Sequence, residues 1–331
     1  MSLEGMTVLV TGATGFLGGA LSRRLANAGA RVRALARTPE RAAVLRGIPG
    51  IDIVYGDVTA PDSLPETVRD CQIVFHVAVS FGSRQLQQAV NVEGTRHIAT
   101  AAADAGINRL VHVSSIAAYG YAQEGVVTED TPLATVTHDP YSETKAEGER
   151  VLRAVASERG LSYSIIRPGM IYGPKSSMWT ERLFRLARLR PTPFIGDGSG
   201  ATHPIYVDDV IDLLVIAATH PAADGQAFNA TPDPASTWRA FIGEYQRLAG
   251  HQRWFAIPVS PVRRLVTALA ALAPAEHLLK AAPVALDMML RPSLVFRNAK
   301  ARQLLGWEPR TDLRTGVERC APWLRERGLL R

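Results

Sequence analysis

Short apolar runs rich in β-branched residues alternate with longer stretches of helical length through the first half of the chain. Residues 7–11, 31–36, 51–55, 72–77, 110–114 and 162–167 are of strand length and apolar nearly throughout. Between them, 16–28, 85–105 and 142–157 are long enough for helices. A strand that meets water on one face alternates polar and apolar side chains, so strands apolar throughout imply cover on both faces. The alternation predicts an α/β fold, a doubly wound parallel sheet with helices on either side. No repeat of solenoid period and no low-complexity tract interrupts it.

After Pro168 the alternation stops and prolines 174, 191, 193, 204, 221, 232 and 234 accumulate. The expected organisation is one wound domain over 1–172, rejoined by about 204–245, where 205–216 and 226–229 return to the sheet. Residues 173–203 and 246–331 would then build a smaller, mainly helical C-terminal cap that binds substrate. A cap over the carboxyl ends of parallel strands makes a cleft where such folds hold ligands. The apolar stretches 265–273 and 284–290 suit a greasy pocket, core packing or a partner interface equally well.

The 331 residues, 47% hydrophobic and 21% charged, can bury a large core and are too apolar for a disordered chain. Net charge is +6 from 37 basic and 31 acidic residues, spread along the chain and almost all arginine, lysine occurring only at 145, 175, 280 and 300. Without a basic stripe or an aromatic-basic pattern, nucleic acid is not an expected partner. Two cysteines, Cys71 and Cys320, exclude a disulfide framework and a Cys-rich zinc site. No metal is expected, and a reducing cytoplasm is the simplest setting. Residues 1–5 lack the basic start and long apolar run of a signal peptide. The longest apolar tract, 261–290, is broken by Arg263, Arg264, Pro274, Glu276, His277, Lys280 and Pro283, so no membrane span is expected.

Residues 8–18 read VLVTGATGFLG, a strand, a glycine turn and a helix start. Gly12 permits the tight turn, Gly15 lets the backbone approach a pyrophosphate, and Gly18 allows close helix packing. The free amides of the helix start face the phosphate charge, and Thr14, Phe16 and Leu17 fall within the same cradle. At the end of the second strand, where a carboxylate would take the ribose hydroxyls of NAD, stand Ala36 and Arg37, with Arg33 nearby. A guanidinium can form paired hydrogen bonds to a 2′-phosphate, so NADP is favoured over NAD.

Tyr141 and Lys145 stand four apart in a helical segment and share a face. An ammonium beside a phenol lowers its pKa and makes it a usable proton donor and acceptor near neutrality. Ser115 lies one residue past the fifth apolar run, at the carboxyl edge, where a hydroxyl can hold a substrate oxygen. Ser114 is its rival, since neighbouring strand residues face opposite ways.

TGATGFLG, GDV at 56–58, HVA at 76–78, SSIAAYG at 114–120, YSETK at 141–145 and RPGMIYGP at 167–174 together resemble the extended short-chain dehydrogenases/reductases, the NAD-dependent epimerase/dehydratase family. YVDDV at 206–210 and KARQLLGWEPR at 300–310 extend the resemblance over essentially the whole chain. The resemblance implies hydride transfer between nicotinamide and a carbonyl or carbinol carbon. Tyr141 would move the proton, Lys145 would also bind the nicotinamide ribose, and Ser115, four before the tyrosine of the YG pair, would orient the oxygen. It further implies that Asp57 and Val58 flank adenine, that His76, Val77, Ala78 and Pro168 line the cofactor, and that Asn91 steadies the catalytic helix. A homodimer through the helix around 90–105 and the one bearing Tyr141 is also implied.

Within the family, sugar dehydratases carry an Asp-Glu pair after the catalytic hydroxyl, and here Ile116 and Ala117 stand there. Many nucleotide-sugar members have asparagine after the Arg-Pro strand end and arginine before the YVDD stretch, where this chain has Met170 and Thr202-His203-Pro204. Both losses weaken a sugar-diphosphate site, although Arg182, Arg185, Arg188 and Arg190 offer substitutes. Met170 and His203 are candidate substrate contacts beside Ser115. The expectation is an oxidoreductase resembling 3β-hydroxysteroid dehydrogenases or dihydroflavonol reductases. Nucleotide-sugar epimerase or 4-ketoreductase is the alternative, and a non-catalytic dinucleotide-binding regulator a third.

Overall fold

The structure is a computed structural model that describes residues 3–120, 124–135, 137, 139–273 and 278–331. Strands β1 (Thr7–Thr11), β2 (Arg31–Ala36), β3 (Ile51–Tyr55), β4 (Ile73–His76), β5 (Arg109–Val113), β6 (Tyr163–Pro168) and β7 (Gln226–Ala230) form one sheet. Their order is β7-β6-β5-β4-β1-β2-β3 and every pairing is parallel. Successive side chains along each strand alternate between two covered faces. Val8 and Val10 point into a core shared with α1 (Phe16–Asn27), while Leu9 points into another shared with α2 (Gly94–Asp104) and α3 (Pro140–Arg159). Helix α4 (Val207–Thr219) packs on the α1 side through Val210, Ile211, Leu213 and Leu214.

The chain moves outward from β1 to β2 and β3, then crosses back to place β4 on the other side of β1. That reversal opens a crevice at the carboxyl ends of β1 and β4, where doubly wound sheets bind ligands. The stretch 85–105 is one helical run in three parts: Arg84–Gln87, a π-helical turn Gln88–Glu93, then α2.

Two expectations about the second half need correction. Residues 204–206 do not join the main sheet; they pair with Met170–Tyr172, and the following α4 is helical cover rather than strand. Nor is the cap confined to the late chain, because Val126–Val127 pairs with Val295–Phe296 and ties an early loop to a late one. Thr192–Ile195 pairs with Trp254–Ile257 within the cap. The late helix Val259–Leu272 turns Leu265, Leu269 and Leu272 outward, at 61%, 43% and 86% exposure, instead of lining a pocket with them. No helix among the described residues is long and apolar enough to cross a membrane.

Candidate active site

The glycine turn is shaped for a close approach. Gly12 adopts φ +66°, and a Cβ there would lie 2.8 Å from the amide nitrogen of Ala78. A Cβ on Gly18 would stand 2.2 Å from the Gly12 carbonyl oxygen. Gly15 begins α1 in extended backbone with no side chain capping the helix and no acid in its first turn. The first amides of α1, at Phe16 and Leu17, are therefore left for an anion, which is the requirement of a dinucleotide pyrophosphate. Thr14, Gly15 and Phe16 also line a cavity of about 400 Å³ shared with Arg23, Lys175 and Asp208 on the outer side of α1.

Beside this turn, the end of β4 is held by a chain of buried hydroxyls and imidazole. Thr11 Oγ1 accepts from the amides of Val77 and Ala78, each at 3.1 Å, and lies 2.8 Å from His76 Nδ1. Having accepted twice, the Thr11 hydroxyl donates to Nδ1. Thr95 Oγ1 donates to the Asn91 carbonyl at 2.8 Å, so it accepts from His76 Nε2 at 3.1 Å. The pattern requires neutral imidazole protonated on Nε2. Burial agrees, since it pushes His76 down to about 3, with Lys145 acting in the same direction. His76 is fully buried and acts on Val77 and Ala78 through Thr11, whereas the resemblance had placed it along the cofactor itself.

Asn91, in the π-helical turn, accepts from Ser80 N at 2.8 Å and donates to Ser80 O and Thr144 Oγ1, each at 3.1 Å. It thus joins the loop after β4 to α3, as the resemblance implies. Asp139 caps α3: its carboxylate accepts from the amides of Tyr141 and Ser142 and from the Ser142 hydroxyl at 2.6 Å. With Pro140 in the first turn, this fixes where the helix starts and so where Tyr141 emerges.

Ser115 and Tyr141 meet. The Ser115 hydroxyl lies beside the phenol and favours its ionised form, and it accepts from Ala117 N at 3.1 Å. Ser114 lies instead toward Glu149, which decides between the two serines. Burial raises the Tyr141 phenol to about 12, opposed by the Ser115 hydrogen bond. Lys145 is buried one turn along α3 and donates to the Val113 carbonyl at 2.9 Å. Burial lowers its ammonium to about 8, against the pull of Glu149. The expected lowering of the phenol by the ammonium is not what this arrangement displays: Lys145 is taken up by the Val113 carbonyl, and burial with the Asp139 charge raises the phenol.

Other expected residues divide. Arg37 is exposed just past β2, one strand from the glycine turn, and forms no salt bridge among the described residues. Arg33 is turned away: it donates to the carbonyls of Arg69 and Glu66 at 2.7 and 2.8 Å, tying β2 to the segment before β4. The Asp57 carboxylate accepts from Thr59 N within its own turn, and Val58 is buried in the α2 core. Pro168 ends β6, and Met170 is half-buried. His203 is buried, edge-on to Phe296 at 4.9 Å, with Nε2 accepting from Phe296 N at 3.4 Å. Burial lowers it to about 4, opposed by a hydrogen bond with the Leu294 backbone. Its described contacts clasp the strand at 295–296. Phe81 was not singled out from sequence; its ring stacks on Tyr141 at 4.8 Å and 28°.

A sequence profile of the NAD dependent epimerase/dehydratase family matches residues 8–231. The chain belongs to this family. Among curated relatives, 3β-hydroxysteroid-dehydrogenase/decarboxylase isoform 1 of Arabidopsis thaliana is 29% identical over 81% of this chain and 66% of its own. The UDP-glucose 4-epimerase of Mycolicibacterium smegmatis is 30% identical over 97% of this chain and 99% of its own. The chain thus spans about two thirds of the plant enzyme and nearly all of the bacterial one. Among solved structures, MoeE5 in complex with UDP-glucose and NAD is 26% identical, with a TM-score of 0.74 over 97% of this chain and 99% of that one. The protein is accordingly an NAD(P)-dependent enzyme of the extended short-chain dehydrogenase type, an oxidoreductase built on a Rossmann fold.

Proposed function

We propose that the protein is an NADP(H)-preferring oxidoreductase that reduces the carbonyl of an apolar ketone or oxidises the corresponding secondary alcohol. The observation that carries the reading is that Ser115, just past the end of β5, and Tyr141, fixed by the Asp139 cap at the start of α3, come together at the carboxyl edge of the sheet. The dinucleotide would lie along Gly12 to Gly18, Val77, Ala78 and Lys145, and when bound supplies the hydride. Ser115 holds the substrate oxygen, and Tyr141 gives it a proton or takes one away. Lys145 would bind the ribose of the bound cofactor, turning its ammonium from the Val113 carbonyl toward the cleft. The substrate-binding cap comprises 173–203 and 246–331, with the loop at 126–127 joined to it.

The apolar substrate rests on what replaces diphosphate contacts. Thr202 is fully buried with its hydroxyl unpaired in the structure, and Met170 offers no charge. Two phosphates leaving water need strong, usually charged partners. The steroid dehydrogenase relative supports the same class. One observation favours nucleotide-sugar epimerisation instead: the mycolicibacterial epimerase aligns over nearly the whole of both chains. The deciding experiment follows NADPH oxidation with a panel of cyclic ketones, and separately UDP-glucose/UDP-galactose interconversion with NAD. Ketone reduction without epimerisation supports the reading, and epimerisation alone overturns it.

NADP preference rests on Arg37, exposed where a 2′-phosphate would stand and without a competing carboxylate at Ala36. Calorimetric titration is expected to give NADPH the lower Kd, and Arg37→Ala to narrow the gap by about 1 to 3 kcal/mol, as for a charged hydrogen bond. Tighter NADH binding by the wild type contradicts it.

A further inference from the structure

Phe81 is 64% exposed, yet it is held in place. Isolated exposed aromatics are ordinary on protein surfaces and by themselves mean little. This one is different in what fixes it and in what it covers. On its amino side, Ser80 is clamped through both its amide and its carbonyl by the Asn91 side chain, at 2.8 and 3.1 Å. On its carboxyl side, Gly82 donates to Ser80 Oγ at 3.1 Å and accepts from Gln87 Nε2 at 2.9 Å. Arg84 then forms an ion pair with Glu143 of α3 at 2.5 Å. Asn91 and Arg84 therefore moor the loop to the helix that carries Tyr141, so Phe81 and the phenol keep a common frame. One face of the Phe81 ring lies on the Tyr141 ring, 4.8 Å between centroids and 28° from parallel. The rest of the ring is open, and Val79 and Leu86 of the same loop region are also exposed.

An aromatic ring with one face spent on the acid/base residue and the other free is a platform for the body of a substrate whose oxygen is at Ser115. We propose that Phe81 is a specificity-determining residue: its open face takes the apolar ring system of a cyclic ketone or alcohol, and its stacked face sets the orientation of the Tyr141 ring. The inference rests on the ketone-reductase reading and narrows it to substrates with a flat or alicyclic apolar body. A short acyclic ketone reaches Ser115 and Tyr141 without touching the platform. Phe81 does not exchange a proton, and its effect is expressed in substrate choice.

The test compares the fused bicyclic ketone trans-1-decalone with butanone, each with NADPH, in wild type, Phe81→Ala and Phe81→Trp. Phe81→Ala is expected to lower the ratio of kcat/KM for decalone over butanone about tenfold or more, chiefly through KM for decalone, and Phe81→Trp to restore most of it. NADPH affinity, measured by titration, is expected to stay within about twofold, showing that the fold and the glycine turn are intact. Equal loss on both ketones, or an unchanged ratio, overturns the inference and leaves the reductase reading standing. A wild type that reduces neither ketone, nor any of the wider panel, overturns the reading and this inference with it.

Discussion

Thr11 and His76 end β1 and β4, His112 stands next to last in β5, and in register the three lie side by side on the α2 face. Their neighbours in each strand are apolar, so the sheet carries one polar band at its carboxyl edge. His76 stacks on His112 at 5.2 Å, and burial holds both imidazoles neutral, with His112 further opposed by His76, Lys145 and Arg153. A histidine kept neutral in the fold but free to charge when unfolded makes the unfolded chain bind more protons as pH falls. Its contribution is complete above its usual 6.5 and is lost as pH drops toward the folded value of about 3. For His76 this amounts to about 2 kcal/mol between pH 7 and pH 5. Urea unfolding at the two pH values is expected to show at least that loss in the wild type, since His112 adds to it, and a loss smaller by about 2 kcal/mol in His76→Gln. An identical pH dependence in both proteins contradicts it. The sequence displays His76 as part of HVA, but its partners Thr11 and Thr95 come from other elements, so only the fold reveals that it positions a loop.

Helix α3 joins the sheet through a buried ion pair. Arg167 donates from Nε and Nη2 to both carboxylate oxygens of Glu149 at 2.8 and 2.7 Å, and from Nη1 to Tyr119 Oη at 2.6 Å. Tyr119 in turn donates to Asn229 Oδ1 at 2.8 Å, reaching β7. Burial alone would push the Glu149 carboxyl up, but the Arg167 bonds and charge, helped by Arg153, outweigh it and hold it below the usual 4.5. Glu149 lies one turn past Lys145, so the pair anchors the part of α3 that carries the buried Lys145 ammonium. Removing one partner leaves a buried charge alone: Glu149→Leu and Arg167→Met should each cost about 3 to 5 kcal/mol. The double substitution should cost clearly less than the sum, read from chemical denaturation. Additive losses contradict the coupling. The spacing of Tyr141 and Lys145 was legible in sequence because it is local to one helix, whereas Glu149 and Arg167 belong to different elements and share no motif. The same distinction explains Arg33, which reads as a phosphate ligand in a list of arginines and turns out to brace β2.

Across the whole molecule, strand limits at β1, β2 and β3 match the sequence reading and those at β4, β5 and β6 differ by one residue at each end, because burial on both faces makes each strand an uninterrupted apolar run. The cap was less legible, since 204–206, 126–127 and 295–296 are short pairs made by distant segments. For the homodimer across α2 and α3 that the resemblance implies, Ala99 and Ala102 are already buried within the chain, leaving the half-buried Ala101 and Ala103 and the exposed Ala105 of that run for close approach. Light scattering at micromolar concentration is expected to give a dimer mass, and a monomer contradicts it. The central claim, that Tyr141 exchanges the reacting proton while the glycine turn holds the cofactor, is tested most directly by Tyr141→Phe, which keeps the ring and removes the hydroxyl. Measured on a ketone that the wild type reduces, the variant should bind NADPH with unchanged affinity and lose about 10² to 10⁴ in kcat. Turnover within about threefold of the wild type, less than about 1 kcal/mol of barrier, would contradict the account.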